Sequence, residues 1–209
     1  MVLLLLAATL GMDEALRLKD EKKYEQAAQI LRRFPGDADA VNNLGGVRFL
    51  MGDFDGAETD FGRAAMLAPS DPNPLGNRCL LRIVRASAES ALADCDAALE
   101  RDPEHYAAWN NKGYALFELG RYAEAIPVFA QAMKLQPQSA EPYLGLALCA
   151  LRGGKRAEAP KYWRRAVELK PALGRSAKAY EAEEGPFFGP QTLSAYRELA
   201  RLFPVKRRD

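Results

Sequence analysis

The chain repeats itself every 34 residues, and this period restricts its fold more than any other feature. One column of the self-alignment holds Ala57, Ala91, Ala125 and Ala159; a second holds Ala64, Ala98, Ala132 and Ala166; a third holds Pro69, Pro103, Pro137 and Pro171. Phe61, Cys95, Phe129 and Trp163 form a fourth. Self-similarity at this spacing marks an array whose units cannot bury an apolar face alone and must stack on their neighbours. With 209 residues, 48% hydrophobic and 27% charged, the chain can bury the continuous core that stacking requires.

Each unit reads as two helices. From Tyr106 to Ser139, the residues Trp109, Gly113 and Leu116 share one helical face, Gly120 stops that helix, and Tyr122 opens a second carrying Ala125, Phe129 and Ala132. Small residues at Gly113, Ala125 and Ala132 allow close approach, while Trp109 and Phe129 fill the space beside them. Pro127 and Pro160 are expected in about the first turn of a second helix, where the missing amide has little helical partner to lose.

On these residues the chain resembles the tetratricopeptide repeat (TPR) family. Four units match well, from Ala38, Pro72, Tyr106 and Ala140. Their first helices offer Val41, Leu44 and Gly45; Leu75 and Cys79; Trp109, Gly113 and Leu116; and Tyr143, Leu146, Ala147 and Ala150. Arg48 and Arg82 stand where the family has a large apolar residue, and Ala86 and Ala88 where its turn carries glycine and an aromatic. Their stems are expected to snorkel, with irregular packing there. A weaker unit precedes, through Ala15, Leu18, Tyr24, Ala27, Leu31 and Phe34, with a second helix shortened by the early Pro35. The resemblance implies an all-α fold, a right-handed α-solenoid of helix-turn-helix units at about 8–37, 38–71, 72–105, 106–139 and 140–173, closed by C-terminal capping helices.

Both ends depart from the repeat. Residues 1–12, MVLLLLAATLGM, are too short to span a bilayer; they read as a shortened export signal, an anchor remnant, or an ordinary first helix. Residues 174–209 read as a capping helix over Ala172–Glu184, a break at Gly185–Pro190, and a last helix with Leu193, Tyr196, Leu199, Ala200 and Phe203 in a stripe. That helix either packs on the array or docks in the groove of its own chain or of a second copy. Lys206, Arg207 and Arg208 read as solvated.

In TPR proteins the concave surface is formed mainly by positions 2, 5, 6, 9, 12 and 13 of each unit. Carried onto this chain, the resemblance implies a peptide-binding groove of Asn42, Asn43, Phe49, Asn77, Leu80, Ile83, Asn110, Asn111, Tyr114, Phe117, Leu148 and Leu151, with Leu50 and Val84 beside them. Asn43, Asn77 and Asn111 make a ladder of amides able to bond a peptide backbone, although asparagine is also common there for structural reasons. An apolar concavity with amides suits an amphipathic helix or extended peptide. The two-carboxylate clamp for heat-shock tails is absent, since positions 5 and 9 hold Asn42 and Gly46, Gly76 and Leu80, Asn110 and Tyr114, and Leu144 and Leu148. Phe117→Glu or Tyr114→Glu is expected to abolish partner capture and leave the chain helical.

The remaining residues narrow the function. A formal net charge of +1 gives no general pull toward nucleic acid or anionic membrane. Cys79, Cys95 and Cys149 follow no metal-binding spacing, each reads as a small buried residue, and their odd number leans toward a reducing compartment. The lone His105 falls in an inter-repeat loop, where a solvated side chain is expected. Glu183 with Glu184, and Asp53 with Asp55, read as solvated surface. Phosphate-binding glycine loops are missing, so no cofactor, metal or catalytic set is expected. The sequence thus reads as a non-enzymatic scaffold that binds a peptide or helix of another protein. The alternative is a self-associating or autoinhibited module whose C-terminal helix fills the groove or a dimer interface. Localisation stays open between the cytoplasm and, if the leader is a signal, export.

Overall fold

The computed structural model describes residues 2–174 and 188–204, with side chains from residue 11 onward. Five units follow one another. Their first helices are α1 (Val2–Asp20), α3 (Ala38–Met51), α5 (Asn73–Val84), α7 (Tyr106–Glu118) and α9 (Glu141–Arg152). Their second helices are α2 (Tyr24–Leu31), α4 (Phe54–Leu67), α6 (Ala88–Arg101), α8 (Tyr122–Leu135) and α10 (Ala159–Leu169). A 3-10 turn, Pro171–Gly174, follows, and α11 (Pro190–Leu202) ends the described chain. No strand occurs among the described residues. The apolar leader is continuous with α1, whose Met12, Ala15 and Leu18 pack with Ala27, Ala28, Leu31 and Leu44.

The turn inside each unit has one backbone solution. Lys22, Gly52, Ala86, Gly120 and Gly154 occupy the same position and have φ of 59°, 81°, 57°, 72° and 81°. Three are glycine because a Cβ is disfavoured there; Lys22 and Ala86 adopt the left-handed conformation without that freedom. Close approach explains two further glycines: a Cβ on Gly113 would lie 2.6 Å from the Phe129 ring, and one on Gly45 2.8 Å from Phe61.

Several expectations are revised. Pro127 lies inside α8, one turn deeper than its first, and leaves the carbonyl of exposed Ala123 without its helical donor; Pro160 is at the start of α10. Arg48 and Arg82 do not simply snorkel. Arg48 meets Asp60 at 2.8 Å, and Arg82 and Arg78 meet Asp94 at 2.9 and 2.6 Å. In both units an arginine on the first helix faces an acid on the second, at positions that hold Leu116 and Val128 in the unit from Tyr106. Burial holds the Asp60 carboxyl above its ordinary range, with Arg48 opposing. His105 is half-buried: its Nδ1 accepts the Ala108 amide at 3.2 Å, capping α7, and its Nε2 lies 3.1 Å from Asn73 Oδ1 on α5. Cys149 is the buried thiol expected, its pKa pushed up to about 12 by burial, whereas Cys79 and Cys95 are joined across α5 and α6. Of the capping segment, Pro171–Gly174 is a 3-10 turn; the rest of Ala172–Glu184, with Gly185–Phe187 and Lys206–Arg208, lies outside the described residues.

Consecutive first helices touch one another, α3 with α5, α5 with α7 and α7 with α9, and consecutive second helices make no comparable contact. The first helices therefore form the inner face. α11 returns to that face and packs across α7 and α9.

Candidate functional site: the concave face

The concave face has two halves that differ in what covers them. Over α7 and α9, α11 buries Thr192, Ala195, Tyr196 and Leu199, a stripe set slightly toward the N-terminus of the one the sequence suggests. Tyr196 and Leu199 share a core with Tyr114, Leu144, Leu148 and Leu151. Phe188 bridges the two sides, its ring centroid 6.0 Å from Tyr114 and 5.8 Å from Tyr196. Tyr196 donates its hydroxyl to the Leu173 carbonyl at 3.0 Å, and Trp163 Nε1 donates to the Phe203 carbonyl at 2.8 Å, so no buried polar tip is left unpaired in these two rings.

Position 13 of two units holds α11, at its first turn and again past its middle. Glu118, at the end of α7, accepts the backbone amides of Gln191 and Thr192 at 3.0 and 2.7 Å. Helix N-termini leave such amides without partners, and here a carboxylate from another helix takes the place of a capping side chain. The N-cap of α11 is Gly189, whose Cβ would lie 2.5 Å from the Glu118 carboxylate. Arg152, at the end of α9, pairs with Glu198 at 2.8 Å. Neither Glu118 nor Arg152 belongs to the set read from the sequence, although both fall in the position-13 column with Leu50 and Val84.

Over α1, α3 and α5 the described face is open. Asn77 is exposed, Asn42, Asn43, Leu80 and Val84 are half-buried, and Leu50 is 37% exposed. A cleft of about 400 Å³ lies where the α5–α6 turn, Glu118 and Gln191 meet, at the border between the halves.

The residues read from the sequence divide accordingly. Phe49, Ile83 and Phe117 are buried inside the array. For Phe49 and Phe117 the reason is local: the Phe49 and Phe54 ring centroids lie 5.7 Å apart and those of Phe117 and Tyr122 5.0 Å, closing each unit's own hairpin. Tyr114, Leu148 and Leu151 lie in the core shared with α11. Asn110 is buried, and its Oδ1 has no hydrogen-bond partner among the described residues. The asparagine ladder stacks units: Asn43 Nδ2 contacts Met12 Sδ at 3.5 Å, Asn77 Nδ2 donates to Asn42 Oδ1 at 3.0 Å, and Asn111 Nδ2 to the Gly76 carbonyl at 3.1 Å. In each case position 6 reaches position 5 of the preceding unit. Among the described residues no group of three or more His, Cys, Asp or Glu side chains could hold a metal ion, and no helix is long and apolar enough to cross a membrane.

Comparison with known proteins agrees with this architecture. A tetratricopeptide repeat profile matches residues 12–72 and 85–140, and a second matches 116–179. The chain belongs to the tetratricopeptide repeat family, whose members serve as protein-interaction scaffolds and are generally not enzymes. The small glutamine-rich tetratricopeptide repeat-containing protein 2 of Mycosarcoma maydis is 30% identical over 95 residues, 46% of this chain and 27% of that protein. The heat shock protein sti1 homolog of Schizosaccharomyces pombe is 34% identical over 104 residues, 49% of this chain and 18% of that protein. The chain thus spans less than a third of either relative. Among solved structures, MamA 41-end from Desulfovibrio magneticus RS-1 superposes with a TM-score of 0.65 at 18% identity, over 79% of this chain and 96% of that one. MamA AMB-1 gives 0.62 at 23%, over 77% and 98%. At these identities the likeness is one of fold.

Proposed function

We propose that this chain is a scaffold whose concave face receives amphipathic helices, one from its own C-terminus over α7 and α9 and one from a partner protein over α1, α3 and α5. The observation that carries this reading is the seating of α11: an apolar stripe faces inward, with Glu118 holding its first turn and Arg152 pairing with Glu198. The open half offers the apolar part of the same positions, Leu50, Leu80 and Val84, beside Asn42 and Asn77. Helix-in-groove recognition uses such anchors at helical spacing. The positions that would make a carboxylate clamp remain uncharged, so an acidic tail lacks its partner residues.

Exchanging Leu50 and Leu80 for glutamate tests the open half, with Met66→Glu on α4 as control, since Met66 is 75% exposed on a second helix. Partner recovery from native lysate should fall about tenfold or more for the first variant, from ~1–2 kcal/mol per anchor lost, and stay unchanged for the control, with both chains helical by circular dichroism. Equal recovery by all three chains contradicts the reading.

A closed, self-occluding form of the same module is the second reading, favoured by the cis position of α11. In it, a partner helix displaces α11 instead of binding beside it.

A further inference from the structure

The positions that Cys79 and Cys95 occupy carry a pairing rule visible in three other units. Sixteen residues separate them. The same two positions hold Gly45 and Phe61, Gly113 and Phe129, and Ala147 and Trp163. In the first two of those units a small residue on the first helix faces a large ring on the second: the ring atoms of Phe61 and Phe129 come within 2.8 and 2.6 Å of where a Cβ would sit on Gly45 and Gly113, and Ala147 and Trp163 are buried in one core. This knob-and-hole contact locks the hairpin. Only in the unit from Pro72 are both members changed, and both are cysteine. The Cα atoms are 5.6 Å apart, the ordinary spacing of a disulfide, and both residues are fully buried. Two free thiols would leave part of the ring's volume empty; a covalent bond restores the lock without the ring.

We propose that Cys79 and Cys95 are a built-in covalent staple that replaces the aromatic knob of this unit, and that the chain is folded where disulfide donors operate. The donor is an external disulfide, of an exchange protein or a small thiol. The Cys79 thiolate attacks one donor sulfur, forming a mixed disulfide and releasing the first donor thiolate. The Cys95 thiolate then attacks the Cys79 sulfur and releases the second. Two chain thiols are oxidised, one donor disulfide is reduced to two thiols, and the two chain protons pass to them. Because both sulfurs are buried once α5 and α6 close, exchange precedes packing of this unit. The odd cysteine count, which alone leaned toward a reducing compartment, is then explained by Cys149, a thiol kept from exchange by burial.

Two measurements test the proposal. Full-length protein from its native cells is treated with N-ethylmaleimide during denaturing lysis, and its intact mass is read before and after reduction and renewed labelling. One label is expected before reduction and three after; three labels before reduction overturn the proposal. The second compares melting of the full chain with and without reductant against the Cys79→Gly/Cys95→Phe chain, which restores the neighbouring units' pair. Reduction should lower the wild-type melting temperature by roughly 5–10 °C, from a 16-residue loop in a chain of this size. The double variant should melt at one temperature in both conditions. An unchanged wild-type melting temperature, with the bond shown by mass to be reduced, overturns the staple. The labelling result does not depend on whether the double variant folds.

Discussion

Ala86 is the residue whose replacement most directly reads the array's backbone. It holds φ of 57° where three other units have glycine, so Ala86→Gly removes a left-handed penalty and should stabilise the chain by about 1 kcal/mol in urea denaturation. Gly113→Ala does the reverse. Its new methyl group would meet the Phe129 ring at 2.6 Å, and overpacking of this kind destabilises by ~1–3 kcal/mol. Equal effects of the two changes would contradict the assignment. His105 adds a pH dependence. Burial lowers its pKa, with Asp102 and Asp71 opposing, and its Nδ1 must be unprotonated to accept the Ala108 amide. The unfolded chain therefore binds the proton more readily than the folded one. The stabilisation is present above the ordinary histidine range and is lost as pH falls through it toward the folded value. The melting temperature should drop more between pH 7.5 and 5.5 in the wild type than in His105→Asn, which keeps an N-cap that does not titrate. Parallel drops in both chains would remove His105 as the cause.

Among the elements, α11 depends on a carboxylate it does not contain. Glu118→Ala leaves the amides of Gln191 and Thr192 without their acceptor, a loss of ~1–2 kcal/mol that should speed hydrogen exchange in the first turn of α11 about tenfold. Exchange in α8, which Glu118 does not cap, should not change. The repeat columns made the ten array helices legible because small and large residues recur at fixed positions. They did not reveal α11's seat, because nothing in Glu118 or Arg152 taken singly says that a segment more than forty residues downstream returns to them. Phe49 and Phe117 lie inside the array, away from the groove, for a related reason. A family-wide list of concave positions cannot register that, in the units of Phe49 and Phe117, position 12 packs on the start of its own second helix. Arg48 and Arg82 became intelligible only against Asp60 and Asp94, since the compensating charge sits on the facing helix. Cys79 and Cys95 lie in columns visible in the sequence, but only the packed hairpin shows that those columns meet.

At the scale of the whole molecule, the first helices make one continuous inner face of which the C-terminal half is covered by α11 and the N-terminal half is open among the described residues. A groove filled in cis presents a partner with a reduced apparent affinity, because the competent state is only fractionally populated. The central claim, that the concave face receives an amphipathic helix, is tested most directly with a fluorescent peptide of residues 188–204. It is titrated into the full wild-type chain and into a full chain carrying Tyr196→Ser and Leu199→Ser, which weakens the cis occupant and leaves α7 and α9 intact. The expected result is binding to the variant about tenfold or more tighter than to the wild type, with both chains helical by circular dichroism. Equal affinity for the two chains, or no binding to a helical variant, would contradict it.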